Sequence, residues 1–538
     1  MDVNEWLDSQ KLTAEKLEIA RAVLEVIREG TDVFKAVRRY PLEGGGYLSK
    51  ANLVAAYTYL VEHGEWTEDR EFLDKIKMKP VRTLSGVTTV TILTKPYPCP
   101  GNCIFCPTEV QMPKSYLSDE PGAMRGVQNQ FDPFRQVASR IQSLTAVGHP
   151  TDKIELLILG GSWTAYPRTY QEEFIRRCFD ALNLKEASTI EEAQHLNETA
   201  SHRNVGLVIE TRPDEITPEE LVWLRHLGVT KVQMGAQSLD DRILAINHRG
   251  HRAADTLRAT ALLRAAGFKI VLHWMPNLLG ATPETDRQDF RRLFADLTEE
   301  GGYAPDEIKI YPTQLLENTG LYEQWKQGNY QPYSQETLIQ LIADVKEEIP
   351  SYCRINRVIR DIPAPHVIAG NRRSSLRQDV LAELARRGKQ CGCIRCREVR
   401  GKAVDPLNLH LEDLQYQAAY AEEHFLHFRT PQNQIAGYLR LSLPNPSAPD
   451  LTNVLPDLIG AAIIREVHIY GQSLQVGEEK PGSAQHVGLG TRLIEESEKI
   501  ARQAGYPNLA VISAVGTRIY YEKRGFQRRS LYLVKPLV

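Results

Sequence analysis

The sequence predicts an α/β chain of several domains, with a partial (βα)6 barrel at its centre and a smaller α/β domain at its C-terminus. Three observations predict it. Six apolar, β-rich runs alternate with helical stretches between residues 86 and 348, the pattern of a parallel sheet wrapped by helices. Six of the eight cysteines fall in two tight clusters, which suits metal ligation better than disulfides. A Gly-rich turn at 485–490 interrupts a second strand–helix pattern that starts near residue 407.

At 538 residues the chain is too long for one hydrophobic core, and about three or four domains are expected. The reading assigns residues 1–82 to a helical N-terminal region, 83–355 to the barrel, 356–405 to a Cys-rich metal-binding linker and 406–538 to the C-terminal domain. Composition is that of a globular protein, 42% hydrophobic and 25% charged. No apolar run approaches the roughly 20 residues of a membrane span. The acidic start MDVNEWLDSQ is not a secretory signal, so a cytoplasmic protein is expected. A net charge of -3 argues against a wholly basic nucleic-acid-binding domain, although a local basic face still binds phosphates.

The elements follow in order. Residues 13–29 place Leu17, Ala20, Leu24 and Ile27 on one helix face, with Thr13 as cap and Gly30 as stop. Lys75, Lys77, Lys79 and Arg82 end this region as candidate RNA contacts, against the plainer reading of a solvated charged surface. Strand-like runs follow at 87–93, 154–159, 205–209, 231–234, 269–273 and 307–311. In barrel enzymes the active site lies at the C-terminal ends of such strands.

Directly after the first run, KPYPCPGNCIFCPTE places Cys99, Cys103 and Cys106 at C-x3-C-x2-C spacing. Three thiolates on one loop suit a [4Fe–4S] cluster and leave one of four irons open for a reactant. That reactant is expected to be S-adenosylmethionine (SAM), which the reduced cluster cleaves to a radical. A zinc knuckle wants a fourth ligand, and none lies nearby in sequence. Gly160 and Gly161 end the second strand, where small residues let the backbone approach a ligand. Glu210 ends the third strand and Gln237 the fourth; these four residues are candidate SAM contacts by their shared place at strand ends, against the plainer reading of turn or core residues.

Cys391, Cys393 and Cys396 form a second cluster, C-x-C-x2-C. It reads as a structural zinc site, with a second iron–sulfur cluster as the alternative and Cys353, His366 or His410 as the fourth ligand. Further on, Gln485, His486, Val487, Gly488, Leu489, Gly490 and Thr491 present glycines and backbone N–H groups at a helix start, a site for a pyrophosphate. This Q-x-x-G-x-G stretch resembles the coenzyme A loop of GNAT-type acetyltransferases, and the segment from Arg518 to Phe526 resembles that fold's closing segment. Acetyl-CoA is therefore the expected co-substrate. Glu466, His468 and Tyr470 share one strand face. Glu466 or His468 is either a general base or, respectively, a paired carboxylate and a core histidine. Tyr520 and Tyr521 either meet coenzyme A and its thioester or pack in the core.

Together the stretches DEPGAMRG, LLILGGSW, VIETRPD, VQMGAQS, NHRGH, IRDIPAPHVIAG, REVHIYG and YYEKRGF resemble the catalytic subunit of Elongator and its stand-alone prokaryotic relatives over nearly the whole chain. The resemblance implies a radical SAM barrel joined to a GNAT domain. It implies carboxymethylation of the wobble uridine of tRNA: a SAM-derived radical forms a carbon radical at the acetyl methyl, which adds to uracil carbon 5. The partners implied are the tRNA anticodon stem-loop, with its base turned out, an electron donor and, in complexes, Elongator-type subunits; DNA and membrane are not implied. The competing reading is a protein lysine acetyltransferase with a structural iron–sulfur cluster, and a non-catalytic tRNA scaffold is a third.

Overall fold

The computed structural model describes residues 11–79, 83, 85–296, 301–400, 404–470 and 488–537. The N-terminal region is a helical unit with its own core. Its first helix, Ala14–Arg28, is capped by Thr13, which accepts from Lys16 N, and buries Ala20, Val23, Leu24 and Ile27. These pack with Leu53, Tyr57 and Leu60 of the helix Lys50–Glu62 and with Phe72 and Ile76 of the helix Arg70–Ile76.

The central sheet has seven strands in sequence order: β1 (Thr88–Leu93), β2 (Lys153–Leu159), β3 (Arg203–Thr211), β4 (Lys231–Gln237), β5 (Lys269–Trp274), β6 (Glu307–Ile310) and β7 (Arg354–Arg357). All six pairings are parallel. Because β1 and β7 lie at opposite ends of the order, the sheet is an open half-barrel. The seventh strand goes beyond the six expected. Its sequence, Arg-Ile-Asn-Arg, carries one apolar residue and no strand signature. Helices such as Pro133–Ala146 and Arg168–Asn183 cover the outer face and bury Val137, Ile141, Phe174 and Phe179.

The second sheet comprises β8 (His410–Ala418), β9 (Ala421–Arg429), β10 (Ile435–Pro444), β11 (Ala461–Ile469), β12 (Asn508–Val511), β13 (Gln527–Arg528) and β14 (Leu533–Pro536), in spatial order β8-β9-β10-β11-β12-β14-β13. Only β11–β12 is parallel, and the helix Leu489–Gln503 makes the crossover between them.

This sheet meets the N-terminal ends of the barrel strands. A Cβ on Gly267, ahead of β5, would come within 2.7 Å of Ile463, and one on Gly516 within 2.7 Å of the Asn204 carbonyl at the start of β3. Tyr532 donates to the Ala266 carbonyl at 2.6 Å. Arg440 and Arg465 reach the segments before β7 and β6, at Tyr352 O and Asp306. No helix among the described residues is long and apolar enough to cross a membrane.

Candidate active site

The cysteine loop leaves the C-terminal end of β1. Cys103 is buried, and Cys99 and Cys106 are partly buried; all three are free thiols. The loop is pinned on both sides: Ile104 N donates to the Asn247 carbonyl at 3.2 Å, and Leu321 N to the Ile104 carbonyl at 2.8 Å. Cys106 hydrogen-bonds Cys103 and, helped by the charges of Arg249 and Arg212, holds the Cys103 thiol down at about 5. The same contact, with burial, pushes the Cys106 thiol well up, so one member of the pair is held towards the thiolate state that an iron ligand requires.

The ends of β2, β3 and β4 face the same space. Gly160 and Gly161 have φ of 136° and 93°, and a Cβ on Gly160 would lie 1.8 Å from Thr94 Oγ1. Only glycine fits there. Glu210 lies 3.5 Å from His273 Nδ1 and receives the Tyr116 hydroxyl at 3.5 Å. Gln237 ends β4 at φ 67° beside a register shift, and its buried Oε1 has no partner among the described residues. Backbone strain and an orphaned polar atom at one strand end are what a ligand-binding position shows. His273, one strand over, is kept neutral by burial and then by Lys309, Arg249, Arg360 and Arg357.

The residues fit a cluster with bound SAM. The donor set is three thiols on one loop, with Arg249 and Arg212 beside it, an open glycine turn opposite, and Gln237 Oε1 unpartnered. Sequence reasoning missed Arg249 and Arg212. NHRGH stood out as a stretch, but nothing local showed that its arginine meets a cysteine 146 residues away.

A single cavity of about 740 Å³ begins at Cys106, Gly161, Glu210 and Gln237. It continues through the barrel interior past Gln233, Lys231, Lys269 and Glu307, and reaches Tyr438, Glu466 and His468 of the second sheet, Tyr470 just beyond its strand and Tyr521 of the helix Arg518–Glu522. Strands of six to seven residues span about 20 Å, so the two ends of this cavity lie at opposite ends of the barrel strands.

At the far end, Glu466 ion-pairs with Lys269, accepts from Tyr438 at 2.8 Å and pairs with Arg440 at 3.0 Å. Burial would raise this carboxyl, but Lys269 and Arg440 outweigh it and hold it at about 2. A carboxylate so engaged is a poor proton acceptor near neutral pH, and the geometry gives Glu466 the paired role. Burial lowers His468 to about 4; it stacks against Tyr438 and its Nε2 has no partner among the described residues.

Gly488, at φ 69°, precedes the helix Leu489–Gln503, whose first turn carries no acidic residue. A Cβ on Gly490 would lie 2.6 Å from the Tyr520 hydroxyl. Arg524 donates to Thr491 Oγ1 at 2.9 Å and stacks over the Tyr520 ring at 3.5 Å. Tyr521 is buried and edge-on to Tyr520. Free N–H groups at a helix start and an adjacent guanidinium suit a pyrophosphate. Gln485, His486 and Val487 lie outside the described residues.

The sulfurs of Cys391, Cys393 and Cys396 all lie within 4.8 Å of one another, and Lys346 Nζ, fully buried, reaches Cys391 Sγ at 3.3 Å. That spacing fits one tetrahedral ion, with Zn–S bonds of about 2.3 Å, better than a multi-iron cluster. Of the proposed fourth ligands, His366 pairs with Asp119 at 2.5 Å, and neither Cys353 nor His410 joins the group. Of the candidate RNA contacts, Lys75 and Lys79 are exposed and Arg82 lies outside the described residues. Lys77 is a correction: its side chain is buried against Asp74, so its ammonium is not offered to solvent.

Residues 97–293 match the Radical SAM superfamily, and residues 305–386 match the Radical_SAM C-terminal domain. The chain is 44% identical to a tRNA uridine(34) acetyltransferase of Dehalococcoides mccartyi, over 85% of this chain and 99% of the relative. It is 36% identical to Elongator complex protein 3 of Homo sapiens, over 86% and 87%. Among solved structures, the archaeal Methanocaldococcus infernus Elp3 with an N-terminal deletion superposes with a TM-score of 0.71 at 35% identity, covering 84% of this chain and 99% of that one. With these matches spanning most of both chains, the protein belongs to the radical SAM family that comprises the tRNA uridine(34) acetyltransferases and Elongator complex protein 3.

Proposed function

We propose that the chain modifies the wobble uridine of tRNA, taking a carboxymethyl group from acetyl-CoA. One observation carries the reading: the cavity is continuous from the cysteine loop to the strand face of Glu466 and His468. A lysine acetyltransferase needs no such passage, since its acyl group leaves the coenzyme without visiting a second site.

In this reading Cys99, Cys103 and Cys106 hold the cluster, and Gly160, Gly161, Glu210 and Gln237 receive SAM. When bound, the pair supplies one-electron cleavage and hydrogen abstraction. The chain's own residues do the rest. The helix start at Gly488–Thr491, with Arg524, holds the coenzyme's diphosphate. Lys269, Arg440 and Tyr438 keep Glu466 ionised at the floor of the barrel. His468, kept neutral by burial and without a partner at Nε2 among the described residues, is the group free to hydrogen-bond the thioester there. Cys391, Cys393 and Cys396 hold one zinc ion that braces the joint between barrel and second sheet.

The test is anaerobic. The reconstituted protein is given SAM, a reductant, tRNA and acetyl-labelled acetyl-CoA, and the digested tRNA is examined by nucleoside mass spectrometry. Labelled carboxymethyluridine that disappears in Cys103→Ala is the expected result. SAM cleavage and coenzyme A release with no labelled nucleoside would overturn the reading in favour of another acyl acceptor.

A further inference from the structure

Arg249 is buried, and its guanidinium makes contacts of two kinds. Nε and Nη2 donate to the Gly235 carbonyl at 3.2 and 2.5 Å, and Nη1 donates to Cys103 Sγ at 3.5 Å. Among the described residues no carboxylate lies within 4.0 Å of it. A buried cation without a counter-ion is costly, and the partner within reach among the described residues that becomes anionic on ligating iron is the sulfur of Cys103. Across the loop, Arg212 differs. It pairs with Asp214 at 2.7 Å, while its buried Nη1 has no partner among the described residues and lies 2.3 Å from where a Cβ on Gly101 would stand. A side chain at Gly101 would therefore displace this guanidinium from the loop. His251 sits beside both arginines, and burial and then Arg249 depress it to about 3, so it adds no charge.

We propose that Arg249 and Arg212 set the electron affinity of the iron–sulfur cluster, with Arg249 acting at full charge and Arg212 partly neutralised by Asp214. This rests on the cluster assignment of the preceding section. A cluster held by three thiolates is anionic and gains one further negative charge on reduction. A fixed cation at a ligating sulfur favours the reduced state, and burial strengthens the effect. Arg249 is thus a positioning and electrostatic residue for the reductive step, and Gly235 fixes its orientation through the carbonyl at the end of β4.

The experiment is an EPR-monitored redox titration of the holoenzyme, with iron counted on each sample. Four irons per chain and a reducible cluster signal in the parent test the cluster assignment separately. Arg249→Gln is expected to lower the midpoint potential, leaving a smaller fraction reduced at any fixed potential. Asp214→Asn, on a partly exposed side chain, releases the charge of Arg212 and is expected to raise it. Opposite shifts are the signature, because a packing role moves both variants the same way or neither. A midpoint in Asp214→Asn equal to the parent's, at full iron content, overturns the proposal even where Arg249→Gln loads poorly. So does a fully loaded Arg249→Gln cluster with an unchanged midpoint.

Discussion

Arg465 Nη2 of the second sheet lies 2.6 Å from Asp306 Oδ1 of the barrel, with both side chains fully buried. The pair belongs to a balanced set in which Arg264 meets Glu423 at 3.4 Å, Arg465 meets Glu423 at 2.6 Å and Arg440 meets both Asp306 and Glu466. Breaking such a set from one side leaves charges without partners. Asp306→Asn keeps an acceptor for Ile270 N and removes the charge that Arg465 and Arg440 share. A loss of about 3–5 kcal/mol is expected, reduced towards the lower end by Glu423. Denaturant unfolding measures it. A change under about 0.5 kcal/mol would show that Glu423 and Glu466 suffice alone.

The same interface is acid-sensitive. His468 falls from 6.5 to about 4 on folding, so between those values the unfolded chain binds a proton that the folded chain refuses, and stability falls as pH drops. Glu466, held at about 2, adds stability that is complete above its ordinary 4.5 and is lost as pH falls towards 2. Asp286 and Asp289, raised by burial to about 7 and about 6, oppose this trend. The comparison is therefore with a variant. His468→Gln is expected to flatten the stability profile between pH 4 and 6.5 by up to one proton, about 1.4 kcal/mol per pH unit. Thermal melts across that range decide it, and parallel profiles for parent and variant would count against the assignment.

What the sequence made legible was local. Cys99, Cys103 and Cys106 share one loop, and Gly160, Glu210 and Gln237 end runs whose apolar character marks them as strands. The hairpin of β8 and β9 escaped because its alternation is charged: β8 is largely exposed, and β9 buries Glu423, His424 and His427. The sequence left Glu466 open between a general base and a paired carboxylate and drew no attention to Arg465. Their partners Asp306 and Lys269 are more than 150 residues away, and no periodicity reports such pairing.

Lys77 illustrates a contact that exposure decides. Its pairing with Asp74, and the Lys50 ammonium on its carbonyl at 3.3 Å, lock the end of the helix Arg70–Ile76. Lys77→Glu is expected to cost about 1–3 kcal/mol by setting like charge against Asp74 in a buried place. Lys75→Glu with Lys79→Glu, both exposed, is expected to leave stability alone and to weaken tRNA binding with a shallower salt dependence. Binding measured across a salt series separates the two, and unchanged affinity in the exposed pair would take these lysines out of the interface.

The second cysteine group offers a test free of RNA and radicals. Three thiolates around a divalent ion leave one negative charge, and Lys346, buried at 3.3 Å from Cys391, supplies its counter-charge. Cys393→Ser is therefore expected to remove one zinc per chain and to lower the melting temperature while leaving four irons in place. Lys346→Met should retain the ion but release it to a chelator faster, since the buried site is then left with uncompensated charge. Elemental analysis before and after chelation reads both. Zinc content unaltered in Cys393→Ser would mean that these sulfurs hold no ion, and that the burial of Cys391 and Cys393 reflects packing alone.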